Sequence, residues 1–472
     1  MKKIVSILLC LCMLLGLAAC AKDEGGETTA AKSSFRVGYS KINITPSQPV
    51  ELSAYVSGRI YEDILDYIYL TCVAISDEND NTVLMYSVDM LNMQNTEISM
   101  LKKAITAKVD IPEENIFFTC THTHTAPSAG THGSVLSNAA VDGAKEALED
   151  RKPAEMYFGK GYTKGDVSFV RHYTVNDGTI ATVNHGKYED PSILTGHTHD
   201  ADPEMRVLQF KREGGKDVVM ANWQCHPNLL GNVNRLSADI VGPMRSIMEQ
   251  DLDCLFAYYQ GGAGNINPNS YIVSEMIDEG KNYKMWGQGM AAAAKDALKN
   301  MTQVPTGDIE VLTQAYTAKP NLEGMDAETV AAATLVVEYY MAGNSTGKAK
   351  AYAESLNAGV YSYYHASNLL GRAAKTPTEV TMNISTLRIG DEFAWSTMPG
   401  EFFDTTVKSI REESPFTYNF ATAYTNGSPG YVPTEEAWSY GSYEVDVTAV
   451  ERGTAEAVQA EIMDMLDTLY SK

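Results

Sequence analysis

Three times along this chain a β-prone apolar run gives way to a helical pattern and then to another apolar run, and this alternation limits the possible folds more than any other feature. TVLMYSVDML (82 to 91) reads as a strand, TEISMLKKAITAKV (96 to 109) has helical spacing, and ENIFFTC (114 to 120) returns to strand character, a β-α-β unit. VVMANWQC (218 to 225), LSADIVGPMRSIMEQ (236 to 250) and CLFAYYQ (254 to 260) repeat it and open into the loop GGAGNINPN (261 to 269). EFAWSTM (392 to 398) ends at Pro399-Gly400, Glu401 is expected to open the helix EFFDTTVKSIREE, and FATAYTNGSPGYVP (420 to 433) ends a strand in a Gly/Pro loop at Tyr431. The pattern predicts an α/β fold of mixed β-sheets flanked by helices, with the active site at strand ends, where open α/β sheets bind ligands. The Ala-rich segment 327 to 375 predicts a helical insertion of two or more helices broken at Gly343-Asn344-Ser345.

The amino terminus sets the compartment. Met1-Lys2-Lys3 precedes the apolar run IVSILLCLCMLLGLAA, which at sixteen residues is short of the roughly 20 that span a bilayer. Leu17-Ala18-Ala19-Cys20 resembles a lipoprotein cleavage site, so residues 1–19 are expected to be a signal peptide, with lipidation at Cys20. Residues 20–34 are small and polar and read as a flexible tether, followed by one globular domain over 35–472. These features place the chain in the bacterial cell envelope, held to the membrane by its lipid and facing outside the cytoplasm; an ordinary secretory signal would export it equally. A formal net charge of −23, spread along the chain, excludes nucleic acid as a natural partner. Cys72, Cys120, Cys225 and Cys254 lie in apolar, strand-like contexts and are expected to be buried free thiols.

The stretch FFTCTHTHTAPSAGTHG (117 to 133) carries His122 and His124 just past a strand. On an extended segment residues i and i+2 point to the same side, and imidazole suits zinc, so the pair could line a metal site; hydrogen-bonded loop histidines fit the same pattern. Taken singly, His226 reads as structural and Glu401 as an acid favoured by a helix N-terminus. His197 and His199 in GHTHDADPEM share the H-x-H form without a strand before them and read as a surface loop.

Several blocks together carry more. THTHTAP, WQCHP followed by SAD and G, GGAGNINPN, MPGEF and GYVPTEEAWSYGSYE resemble successive signature blocks of the neutral/alkaline non-lysosomal ceramidase family. SFVRHYTVNDGT resembles that family's Asn-Arg-containing block and GYSKINITP its amino-terminal opening, in preserved order from about residue 37 to 444. The resemblance implies one Zn2+ held by His122, His226, Glu401 and Tyr431. His124, Arg171 and Tyr443 would surround the scissile amide, and Asp239 would either support the ligands or simply hold its own turn. Asn265 and Asn267 fall in the substrate-binding block, where the family carries Asp and Ser; Asn267 stands in place of the Ser and has no useful nucleophilicity. The chain ends soon after Tyr443, so the immunoglobulin-like C-terminal domain of full-length ceramidases is expected to be absent.

The implied activity is zinc-dependent hydrolysis of a linear amide bond in an N-acyl lipid or related N-acyl compound, with water activated by the metal and poor turnover of ceramide itself. The alternative is a non-catalytic lipoprotein that binds lipid or glycan in the same cleft. An amidohydrolase barrel would need a regular eightfold β/α series, which the sequence lacks.

Overall fold

The computed structural model describes residues 35–55, 57–164, 167–183, 191–268, 283–375 and 378–472. The expected signal peptide, the tether and Cys20 lie outside the described residues, and no described helix is long and apolar enough to cross a membrane.

The apolar runs assemble into a large sheet of β1 (Arg36–Asn43), β2 (Tyr69–Ser76), β3 (Thr82–Val88), β4 (Ile116–Cys120), β5 (Lys152–Tyr162), β6 (Glu204–Arg212), β7 (Val218–Trp223) and β8 (Leu255–Gln260). Their order is β8-β7-β6-β5-β1-β2-β3-β4, with the short β9 (Thr302–Val304) beside β5. The inner pairs are antiparallel, whereas each edge ends in a parallel pair, β3 with β4 and β7 with β8. Those two pairs are the β-α-β units read from the sequence. Within β3, Val83 and Met85 face one way and Leu84, Tyr86 and Val88 the other, all fully buried. A strand covered on both faces has no solvent side, which is why apolar residues occupy both of its faces.

A second sheet, β10 (Ile309–Ala318), β11 (Val380–Ile389), β12 (Phe393–Thr397) and β13 (Tyr418–Thr422), lies face to face with the first. Leu387, Phe393, Trp395 and Phe420 pack there against Val37, Met85, Phe117 and Tyr259. Its edge pair, β12 with β13, is again parallel. On the outer face of the first sheet, α1 (Asn95–Thr106) and α2 (Gly133–Glu149) cover one half, and α3 (Val241–Leu252) and α4 (Tyr283–Ala297) the other.

The predicted insertion consists of α5 (Ala327–Met341), α6 (Thr346–Leu356) and α7 (Tyr363–Ala373), placed between β10 and β11, which pair along their whole lengths. Asp326 and Ser345 cap α5 and α6 by accepting from backbone amides, and Gly343 turns the chain between them at φ 91°. The three helices share a small core around Val336, Ala353 and Leu369. The chain continues through α8 (Asp404–Glu413), α9 (Glu435–Tyr440) and α10 (Tyr443–Val447) to α11 (Thr454–Tyr470), which packs with α8 on the second sheet.

Two local expectations are corrected. Glu401 does not open a helix: α8 starts at Asp404, and Glu401–Phe402 forms a short strand parallel to Tyr431–Val432, with Glu401 beside Tyr431. His197 ends a strand, Leu194–His197, whose pairing with His172–Val175 is a long-range contact invisible in the local sequence. The four cysteines are buried free thiols, as expected.

The seating of α2 on β1 depends on one glycine. A Cβ at Gly38 would fall 1.9 Å from the carbonyl oxygen of Ala147. Gly38→Ala is therefore expected to lower unfolding stability by about 1–3 kcal/mol, the usual cost of overpacking. Denaturant titration measures this, and an unchanged midpoint would contradict the close approach.

Candidate metal centre

The four expected metal ligands all follow strands that have a parallel partner. Past β4 the backbone leaves the extended region, because His122 has φ 70°, a left-handed conformation uncommon for a residue other than glycine. The amides of Thr121 and His122 donate to Val88 O and Met90 O, each at 2.9 Å, so the loop after β4 is tied to the loop after β3. His124 follows in a turn, its amide donating to Pro227 O at 3.2 Å and its carbonyl accepting from the Arg59 guanidinium at 2.6 Å. The two histidines thus reach one cavity through a left-handed turn, not through the extended i, i+2 geometry expected.

The ring nitrogens of His122 and His226 have defined roles. Nδ1 of His122 lies 2.7 Å from Leu91 O, and Nδ1 of His226 lies 2.5 Å from Ala263 O and 3.2 Å from Ile266 O. A carbonyl oxygen only accepts, so each Nδ1 carries a hydrogen and each ring turns its Nε2, the acceptor of a neutral imidazole, inward. Burial pushes the His226 imidazolium down to about 4, against the pull of Glu401, which leaves the ring neutral at pH 7. The two Nε2 atoms are 3.2 Å apart, and Glu401 Oε2 is 3.3 Å from each. Three acceptors thus converge in a site from which water is almost excluded, and Glu401 Oε2 has no hydrogen-bond donor.

Converging lone pairs repel unless a cation lies among them. Tetrahedral zinc with bonds of about 2.0–2.1 Å needs ligand atoms about 3.3–3.4 Å apart, which the triangle matches within about 0.2 Å. Two imidazoles and a carboxylate are also a donor set that suits zinc and its first-row neighbours. A nitrogen of His124 lies within 4.8 Å of those of His122 and His226, so an all-histidine trio is the looser alternative. Glu401 is held in register by Gly264, where a Cβ would fall 2.4 Å from Glu401 O and whose amide donates to Phe402 O at 2.9 Å.

The triangle forms the floor of a cavity of about 420 Å³ whose walls include Tyr55, Arg171, Asn228, Tyr431 and Tyr443. Arg171 is buried; its Nε donates to Glu444 Oε1 and its Nη2 to Gly264 O, both at 2.5 Å. Its guanidinium lies 5.3 Å from the Tyr431 ring centre and 5.6 Å from that of Tyr443. Burial alone would raise the Glu444 carboxyl, but Arg171 on one side and His172 at 2.9 Å on the other hold it far below the usual range. Tyr431 stacks near His226 at 6.4 Å between ring centres.

Other expected residues stand outside the cavity. Asn265 is fully buried and bonds Asp404 through both ends of its amide, so it braces α8 and does not face the cavity. Asn267 is also buried; its Oδ1 accepts from Asn228 Nδ2 at 3.3 Å, so Asn228 faces the cavity and Asn267 stands behind it. Asp239 accepts from the amides of Leu229, Leu230 and Ile240 and holds the loop that follows His226. His199 bonds Asp404, and the His197 ring packs at a tilt against that of Tyr173 at 4.0 Å, so neither joins the candidate metal cluster. Sequence reasoning missed Tyr55, Asn228 and Glu444. The last two sit beside recognised residues, in CHPN and SYE, whereas nothing local marks Tyr55, whose ring packs 5.2 Å from that of His124.

Removing any corner of the triangle is expected to abolish tight zinc binding, beyond the roughly 10–100-fold lost with a supporting hydrogen bond. His122→Ala, His226→Ala and Glu401→Ala should each purify without stoichiometric zinc and fail to regain it on titration, while His124→Ala keeps it. Metal analysis decides, and equal loss in His124→Ala would favour the all-histidine trio.

No protein-family model and no curated protein sequence matches the chain. Solved structures do. The crystal structure of neutral ceramidase from Pseudomonas aeruginosa superposes with a TM-score of 0.70 at 18% identity, over 93% of this chain and 74% of that one. A ceramidase complexed with C2 gives 0.68, also at 18% identity, over 93% and 75%. The two sheets and their helical layers therefore have the fold of neutral ceramidase.

Proposed function

We propose that this chain is a member of the neutral ceramidase family, an exported, lipid-anchored zinc hydrolase that cleaves the amide of an N-acyl lipid or related N-acyl compound. The observation that carries the reading is the triangle of His122 Nε2, His226 Nε2 and Glu401 Oε2, three buried acceptors 3.2 to 3.3 Å apart. The likeness of fold to neutral ceramidase, and to a ceramidase complexed with C2, supports the choice of bond. The anchor at Cys20 and the envelope location rest on the amino-terminal sequence.

His122, His226, Glu401 and Tyr431 would hold the metal. A bound zinc would supply the positive charge that polarises a carbonyl and acidifies water. The chain's own groups do the rest. The Arg171 guanidinium, kept charged and immobile by Glu444 and the Gly264 carbonyl, faces the cavity as a fixed cation. With the Tyr443 hydroxyl it stabilises the oxyanion that develops when water adds to the amide carbon. His124 takes a proton from the attacking water and delivers it to the leaving nitrogen as the C–N bond breaks, so amine and acid are released without an acyl-enzyme. Asn228 contacts a polar group of the substrate and Asn267 positions it.

Treatment with a chelator is expected to abolish hydrolysis across a panel of N-acyl lipids, and added zinc to restore it. His124→Ala should lose roughly 100-fold or more in kcat while retaining metal. Asn228→Ala and Asn267→Ala should lower kcat/KM on the best substrate by roughly 10 to 100-fold, as for one polar contact. Ceramide should be turned over poorly by the wild type, and efficient ceramide hydrolysis would overturn the altered recognition assigned to Asn267. No hydrolysis of any substrate by zinc-loaded protein would overturn the enzyme in favour of a binding protein.

A further inference from the structure

The short helix α10 separates the metal cavity from a second hollow. Tyr443 and Glu444 serve the metal side, whereas Val445 and Asp446 line a cavity of about 410 Å³ between α10 and the helical insertion. An adjoining cavity of about 280 Å³ shares Asn321, Glu323 and Trp438 with it, so the two form one cleft with the indole between them. Combined, they lie in the size range of small-ligand sites.

The polar chemistry of this cleft is unbalanced. Trp438 Nε1, Arg372 Nε and His365 Nδ1 are buried and have no hydrogen-bond partner. Two of these are obligate donors, and a buried donor left unmade costs about 1–3 kcal/mol. Asp446 offers acceptor oxygens, one of them bonded by the Tyr361 hydroxyl, and Arg372 is engaged by the carbonyls of Asp446 and Glu323. Flat apolar surface comes from Tyr361, stacked on His365 at 4.1 Å and 8° with 43% of its surface exposed, and from Trp438 and Tyr440.

A ligand that suits these walls brings oxygen acceptors to the unmet donors, a hydroxyl donor to Asp446, and a flat C–H face to the rings. An anion does not suit them. Across the two cavities Lys319, Arg372 and Arg452 are matched by Glu323, Asp446 and Glu451, so the walls carry no excess of positive charge, and burial pushes His365 down to about 4, so that it adds none. A purely apolar chain would leave the buried donors unmade.

We propose that this cleft is a carbohydrate-binding site, taking one pyranose ring among Tyr361, His365, Arg372 and Asp446 and a linked residue across Trp438. The site is separate from the metal chemistry and does not depend on it.

Isothermal titration of the purified, zinc-loaded protein with glucose, galactose, N-acetylglucosamine and their β-linked disaccharides tests this, with sodium sulfate as the anionic probe. At least one sugar is expected to bind at or below about 1 mM, the weak end of specific recognition, and a disaccharide to bind more tightly than its monomer. Tyr361→Ala, at the exposed rim, should weaken that binding roughly tenfold or more with zinc content and melting temperature unchanged; Tyr361→Phe, which keeps the ring, should retain most of it. The proposal is overturned if none of the sugars binds, if Tyr361→Ala and Trp438→Phe both bind like wild type, or if sulfate binds in their place.

Discussion

Two backbone-anchored imidazoles and a carboxylate, with their lone pairs aimed at one point, are the constraint around which the rest of this structure is arranged. Left alone, three acceptors 3.2 to 3.3 Å apart in a water-poor site repel one another. They hold that geometry because Leu91, Ala263 and Ile266 carbonyls fix the two rings from behind and the Glu401–Tyr431 pairing fixes the carboxylate. The left-handed backbone at His122, which costs on the order of 1–3 kcal/mol, belongs to the same arrangement.

The topology explains why these groups meet. The sheet interiors are antiparallel and supply the core, while three parallel edge pairs, β3 with β4, β7 with β8 and β12 with β13, send their carboxyl ends to one rim. The loops from those ends then interlock: Cys120 N donates to Tyr424 O, Ala423 N to Gln260 O, and Gly264 N to Phe402 O. Each of these side chains is therefore displayed on a strand end and braced by a loop from a different unit. Beyond the triangle, the Arg171–Glu444–His172 cluster carries the same bracing to α10, whose other residues line the second cleft.

Much of this was legible in the sequence because it is local. Alternation of apolar runs with helical spacing marked all three parallel pairs, and the Gly343-Asn344-Ser345 break marked the insertion's first turn. His122, His226, Glu401 and Tyr431 could be singled out because the blocks around them resemble a known family. What stayed hidden depends on contacts between distant segments. The pairing of β1 with β2 and β5, the short strand at Glu401 and the strand ending at His197 are set by partners about 20 or more residues away. Residue type misled at Asn265, whose amide is consumed by Asp404, and at Asn267, which reaches the cavity only through Asn228. Tyr55 packs over His124 from a loop that carries no motif.

The central claim is that His122, His226 and Glu401, and not the histidine trio, define the metal site. Anomalous diffraction from crystals of the zinc-loaded protein, recorded on both sides of the zinc edge, tests it most directly. The expected result is a single strong peak within about 2.0–2.2 Å of His122 Nε2, His226 Nε2 and a Glu401 oxygen, with His124 outside bonding distance. A peak bonded to His124 with Glu401 turned away, or zinc bound elsewhere in the chain, would contradict it.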